Sequence, residues 1–172
     1  MPQPNLTTSF TYRDKLIQVR WFDLVGKPLP DLPWQQVYVI GDLEGKAPIV
    51  HYATGDKDNL PGGKTEPGET VDQTIQREIE EELRCKVVSW YPIGYQENHE
   101  PDGTIIYQLR VRAILERSGI FEQDPAGTVV GHSLVDLQDL NTHIGYGDIG
   151  ERMIALIEGH EKADSTGTPE SH

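Results

Sequence analysis

Three glutamates, Glu78, Glu81 and Glu82, stand three and four positions apart, a spacing that projects them from one side of a helix. Beside them Val71, Ile75, Ile79 and Leu83 recur every four residues, so the acids border the face that such a helix buries. Like charges at these spacings destabilise a helix by roughly 0.2–0.5 kcal/mol per pair, and partial burial adds to that penalty. Hard divalent cations bound by carboxylate oxygens compensate it, and Mg²⁺ uses few protein carboxylates and leaves room for substrate phosphates. An acidic run by itself more often reads as a solvated helix face. The segment before it changes that balance. Gly62-Gly63-Lys64-Thr65-Glu66-Pro67-Gly68-Glu69 leads directly into the helix, and its glycines let backbone approach a phosphate or a metal.

These groups need a frame to hold them. The helix is expected to start at Thr70, which forms a capping box with Gln73. Lys15 to Phe22 reads as a strand with Ile17, Val19 and Trp21 on one face. Gln36 to Ile40 and Pro48 to Tyr52 read as two more, and Asp42-Leu-Glu-Gly45 between them has hairpin composition, which predicts antiparallel neighbours. After the helix, Lys86 to Tyr91 and Ile105 to Glu116 read as strands separated by the turn-rich Asn98 to Gly103, and Thr128 to Val135 as another. A last helix is expected from Asp148, with Glu151 at capping-box spacing and Ile149, Met153, Leu156 and Ile157 as its apolar positions. This order predicts an α/β fold with a mixed sheet and helices packed on it, rather than a strictly alternating parallel fold. One domain over residues 1–160 is expected, with a strand extension at 8–30 and a disordered polar tail at 161–172.

Composition narrows the function classes. The chain has 172 residues, 36% hydrophobic and 25% charged, as in a soluble globular protein. A formal net charge of −13 repels nucleic-acid backbones, so no nucleic-acid partner is expected. Anionic small molecules remain compatible, because a bound divalent cation reverses the local potential. Cys85 is the single cysteine, so no intramolecular disulfide framework exists. The start, MPQPNLTTSF, lacks a basic and apolar leader, and no apolar run approaches bilayer length. No membrane association and a cytoplasmic location are the expectations.

The segment Gly63 to Cys85 resembles the Nudix box: Gly, five residues, Glu, seven residues, then Arg-Glu-apolar-X-Glu-Glu-X-Gly-apolar. Gly63, Glu69, Arg77, Glu78, Ile79, Glu81, Glu82 and Cys85 fall in register, and Leu60-Pro61-Gly62 is similar to the family's lead-in. One position departs: Arg84 stands where the family has a glycine. That glycine ends the helix in a left-handed conformation, where another residue costs roughly 1 kcal/mol; Arg84 removes no metal ligand. The resemblance implies a Nudix-type α/β/α sandwich and a hydrolase of phosphoric anhydride bonds using Mg²⁺, with Mn²⁺ as a substitute. It implies that Glu78, Glu81 and Glu82, joined by the Gly62 carbonyl, hold the metal. Arg77, four residues before Glu81, is expected to orient that carboxylate. Glu69 is expected to favour the helix N-terminus, whether as a cap or as a further partner of the site. Glu122, on a loop after the box, is the candidate general base, with His99 and His132 as weaker ones. Lys64, Arg110 and Arg112 are candidates for substrate phosphates.

Substrate choice in this family lies outside the box. Pro101, sixteen residues after it, falls near a proline of ADP-ribose-cleaving relatives, although the turn Glu100-Pro-Asp-Gly103 explains it equally well. The strand before the core is similar to that of nucleoside-diphosphate-sugar hydrolases, which often form homodimers. A nucleotide substrate of the ADP-ribose or nucleotide-sugar type is therefore favoured. The alternatives are a nucleoside triphosphate, a dinucleoside polyphosphate, or a non-catalytic Nudix domain that senses a nucleotide. An isoprenoid diphosphate isomerase needs a reactive cysteine, which Cys85 in an apolar box position does not resemble.

Overall fold

The computed structural model of the chain describes residues 2–166. Eight strands run β1 (Leu6–Tyr12), β2 (Lys15–Asp23), β3 (Trp34–Asp42), β4 (Ala47–Tyr52), β5 (Gly62–Lys64), β6 (Cys85–His99), β7 (Ile105–Arg117) and β8 (Val129–Val135). The helices are α1 (Val71–Leu83), α2 (Leu140–Ile144) and α3 (Gly147–Thr166). Six strands form one mixed sheet in the order β1-β2-β6-β7-β3-β5, in which β3 and β7 are parallel, and β4 pairs with β8 in a second, two-stranded sheet.

Each face of the large sheet buries a different helix. On one side Ile75, Ile79 and Leu83 of α1 pack with Val37, Val39, Leu109, Val111 and Tyr95. On the other, Ile149, Met153 and Ile157 of α3 pack with Ile17, Val19, Trp21, Ile40 and Ile93. Alternating side chains on β3 feed the two cores in turn, Val37 and Val39 on one side and Tyr38 and Ile40 on the other, as the strand period of two requires. The result is a mixed sheet with helices packed on it, as the order of elements predicted, in the α/β/α sandwich that the resemblance implied.

The expected hairpin at Asp42–Gly45 turns as predicted, with Leu43 and Lys46 exchanging backbone hydrogen bonds of 2.8 and 3.1 Å. Beyond that bridge β3 and β4 are not sheet neighbours, which corrects the predicted pairing. Both edges of β3 are taken, by β7 and β5, so β4 turns away to β8 and buries both its faces. The extension at 8–30 holds two strands, not one. Its β1 exposes most of its side chains and is held by backbone pairing to β2, Leu6 opposite Trp21 through Tyr12 opposite Lys15. At the other end α3 continues to Thr166, six residues into the segment expected as a tail, and 167–172 lie outside the described residues. Among the described residues no helix is long and apolar enough to cross a membrane.

Candidate active site

Helix α1 begins as its sequence dictates. The Thr70 hydroxyl accepts from the Gln73 N–H and the Gln73 side chain accepts from the Thr70 N–H, closing the capping box. The helix ends at Arg84 in the left-handed conformation, φ 52° and ψ 47°. Its guanidinium pairs with Glu80 at 2.8 Å, which offsets part of the conformational cost. Between these limits the buried stripe draws the acids inward. Glu82 is 4% exposed, and the side chains of Glu78 and Glu81 are 12% and 30% exposed.

The glycine loop meets them edge-on. Strand β5 pairs with β3 at the sheet margin, Gly62 opposite Tyr38, and the Gly62 N–H donates to Glu82 Oε1 at 3.0 Å. Gly62 has φ 142°, and a Cβ there would lie 2.7 Å from the Tyr38 Cα. At Gly63 a Cβ would lie 2.6 Å from Glu78 Oε1. Backbone contact and a positive φ require glycine at position 62, whereas at Gly63 the Glu78 carboxylate occupies the space that a Cβ would take.

Burial pushes the Glu82 carboxyl well above the usual carboxylate range. The Gly62 N–H opposes this, while the charge of Glu78 and a hydrogen bond shared with it push further in the same direction. Glu81 is raised by burial and by the charges of Glu78 and Asp124, against the pull of Arg77. Arg77 reaches Glu78 and Glu81 from one side, and among the described residues no cation pairs with Glu82. Among the described residues no three Asp, Glu, His or Cys side chains converge into a ready-made metal cage. Two adjacent carboxylates with a third at the rim suit a hard cation that keeps several waters. The oxygen-only donor set and the cradle at Gly63 fit a divalent ion of that kind.

Arg77 organises the loop rather than Glu81 alone. Its Nε and Nη2 donate to both oxygens of Glu69 at 2.7 and 2.9 Å, Nη2 also donates to the Lys64 carbonyl at 3.0 Å, and Nη1 donates to Glu78 at 3.0 Å. The anticipated pair with Glu81 is the longer contact, 3.5 Å. Glu69 is held down to about 2 chiefly by Arg77, and it also accepts from the Glu66 N–H and the Thr74 hydroxyl. Its main role is thus to lock the loop to the helix, more than to face the helix dipole.

The other candidates divide. Arg110 lines a cleft of about 470 Å³ on the α3 side of the sheet, together with Tyr38, Asn59 and Tyr146. Arg112 does not reach it: it is buried against Glu161 at 2.7 Å and the Gly41 carbonyl at 2.9 Å, so it fastens α3 to the sheet. Lys64 is exposed on β5. Glu122 is exposed on the loop before β8, whereas Asp124, two residues on, is buried and is the acid felt at Glu81 and Glu82. Asp124 accepts from the N–H groups of Ala126, Thr128 and Val129. The turn signal of Asp124-Pro-Ala-Gly127 marks it in the sequence. His99 bonds Glu97 at 3.0 Å, and His132 lines a separate cleft with Phe121 and Arg117. Cys85 is fully buried and its thiol is pushed up by burial, so it is not a ready nucleophile. Sequence reading also missed the chain from Asp58 through His51 to Ser133, at 2.8 and 2.6 Å, which ties the loop before β5 to β4 and β8.

Residues 35–155 match the family model described as the NUDIX domain. A comparison with curated proteins finds no match. Among solved structures, a mutant of the Bacillus subtilis pyrophosphohydrolase BsRppH is similar at TM-score 0.61 and 22% identity, over 94% of this chain and 99% of that one. A protein described as an ADP compounds hydrolase is similar at TM-score 0.56 and 13% identity, over 95% and 98% of the two chains. The MutT protein of Bacillus halodurans is similar at TM-score 0.52 and 17% identity, over 70% and 80%. At these identities the likeness is one of fold.

Proposed function

The chain belongs to the NUDIX family, as a hydrolase of pyrophosphate bonds, and from that premise we propose that it cleaves, with Mg²⁺, the diphosphate of a nucleoside diphosphate linked to a second moiety. ADP-ribose and nucleotide sugars are the favoured substrates. The observation that carries the reading is the pair Glu78 and Glu82, drawn together beside the backbone of Gly62 and Gly63.

Glu78, Glu81, Glu82 and the Gly62 carbonyl would hold the cation. When bound, it supplies neutralisation of charge at the phosphate oxygens and acidification of an attacking water. The chain's own residues do the rest. Arg77 grips Glu69 and Glu78 at once, so the loop carrying Gly62 and Gly63 is fixed relative to the helix. That fixation places the carboxylates before substrate arrives, which is how positioning contributes to rate. Glu122 is the proposed acceptor of the water's proton, since the Asp124 carboxylate is committed to backbone N–H groups. Lys64 and Arg110 are proposed for substrate contact. A protein described as an ADP compounds hydrolase shares this fold over 95% of the chain, which is compatible with that substrate class.

The test is incubation with Mg²⁺ and a panel of ADP-ribose, nucleotide sugars, dinucleoside polyphosphates and nucleoside triphosphates, followed by identification of the phosphorylated products. Turnover of the first two above the others is the expected result. No Mg²⁺-dependent turnover on any of them would point instead to a nucleotide-sensing domain. Turnover unchanged in Glu82→Gln would refute the placement of the metal.

A further inference from the structure

Two buried arginines stand two residues apart on β7 and differ in a way that the folded chain makes plain. Arg112 has acids within reach, Glu161 at 2.7 Å and Asp42 at 3.9 Å. Arg110 is 3% exposed and forms no ion pair among the described residues. Its hydrogen-bond acceptors are neutral: Gln108 Oε1 at 3.0 Å, Gln96 Oε1 at 3.3 Å and the Leu109 carbonyl at 3.5 Å. The Arg110 Nε is buried with no hydrogen-bond partner. Burying a guanidinium without a counter-charge is costly, because the lost hydration is not repaid. In a chain with 28 acids and 15 Lys and Arg, a missing partner is not for want of carboxylates.

The surroundings hold this cation in place without neutralising it. The Tyr38 ring lies 4.8 Å from the guanidinium carbon and the Tyr146 ring 5.4 Å, contacts that stabilise the charge through the ring faces. The cleft lined by Arg110 carries one acid, Asp148, which is exposed and makes no ion pair with Arg110. The position is also continuous with the acidic cluster: Glu82 accepts from Gly62, Gly62 pairs with Tyr38, and Tyr38 faces Arg110.

We propose that Arg110 is the anion anchor of the cleft: it binds a phosphate or carboxylate group of the ligand on the far side of Tyr38 from Glu82. It thereby selects substrates that carry an anionic group beyond the one held at the carboxylate cluster. This deepens the diphosphate-hydrolase reading and rests on it for the word substrate, but the binding itself needs neither metal nor turnover.

The experiment uses the full chain in EDTA, with no divalent cation, and measures affinity by calorimetry. Its probes are AMP against adenosine for a phosphate, and glucuronate against glucose for a carboxylate. At least one anionic probe binds the wild type more tightly than its neutral partner. Arg110→Gln weakens that probe about 10- to 100-fold, as for a lost charge-assisted hydrogen bond, and leaves the neutral partner unchanged. Arg110→Lys recovers part of the loss, since it restores charge but not the planar fork. Which pair shows the effect identifies the anion. Equal binding of anionic and neutral probes to the wild type, or an unaltered affinity in Arg110→Gln, overturns the proposal. Should Arg110→Gln fail to fold, the wild type alone decides: phosphate or acetate must raise its Tm above that in chloride at equal ionic strength, and no rise with either overturns it. Glu82→Gln run in parallel keeps the anion preference, so a failure of hydrolysis and a failure of anchoring are read separately.

Discussion

Replacing Gly63 with alanine tests the site at a single methyl group. Gly63 has no positive φ, so alanine is allowed by its backbone. The added Cβ would lie 2.6 Å from Glu78 Oε1, 3.1 Å from its Cδ and 3.3 Å from Oε2. To regain ordinary van der Waals separation the carboxylate must retreat by about 0.8 Å. It is the end of a flexible side chain, so the fold should absorb the change. The lower entropy of the unfolded chain contributes roughly 0.4–1 kcal/mol in favour of alanine, and the disturbed contact from Arg77 to Glu78 offsets it. A net stability change within about 1 kcal/mol is expected in urea unfolding. Activity should respond far more, because a displacement near 1 Å of a positioned group can cost on the order of 100-fold. The assay is kcat/KM with saturating Mg²⁺ on the substrate found by the panel, for wild type, Gly63→Ala, Glu78→Ala and the double variant. A loss of about 10- to 100-fold is expected for Gly63→Ala, with little further loss when it is added to Glu78→Ala. Full activity in a folded Gly63→Ala protein would show that the carboxylate's seat over Gly63 is irrelevant to the reaction.

Two further predictions concern stability. Glu69 has its pKa depressed from 4.5 to about 2, so its contribution is fully present above pH 4.5 and is lost as pH falls towards 2. Glu69→Gln should cost roughly 1–3 kcal/mol at pH 7, allowing for partial screening. The gap from wild type should narrow in urea melts between pH 4.5 and 3, and a gap independent of pH would remove the Arg77 pairing as its cause. At the other end of α1, Arg84→Gly relieves a left-handed residue worth about 1 kcal/mol and gives up the Glu80 pair, worth about 0.3–0.5 kcal/mol. A rise in Tm of about 1–2 °C is expected; a fall would mean that the Arg84 side chain stabilises the chain by more than this pair.

Features governed by neighbours in the chain could be read from the residues alone. The limits of α1 follow from a capping box at Thr70 and an apolar stripe ending at Leu83, both set within a turn or two of backbone. Strands β2, β4, β7 and β8 lie within one or two residues of their expected spans, because alternation is also local. Strand β1 escaped notice: Thr7-Thr-Ser9 carries no apolar alternation, and its pairing to β2 supplies the order its side chains do not.

Tertiary structure decided whatever depends on residues distant in the chain. The pairing of β4 with β8 joins residues 77 to 88 positions apart, and no local signal distinguishes it from a hairpin with β3. The carboxylates of α1 were recognisable as a set, but their burial, the seat of Glu78 over Gly63 and the grip of Arg77 on Glu69 exist only once β5 lies along the helix. Glu122 and Asp124 look alike as loop acids, and folding leaves one in solvent and buries the other near the cluster. Arg110 and Arg112 share a strand face and a residue type, yet Arg112 meets Glu161 while Arg110 faces a cleft and forms no ion pair among the described residues. The sequence by itself determined the helix and its carboxylates, since these rest on spacing along one turn after another, while the class of bond they address followed from the resemblance of Gly63 to Cys85 to the Nudix box. Which charges are neutralised and which stay open to a ligand was settled by packing, because a counter-charge is a matter of distance in space and not of position in the chain.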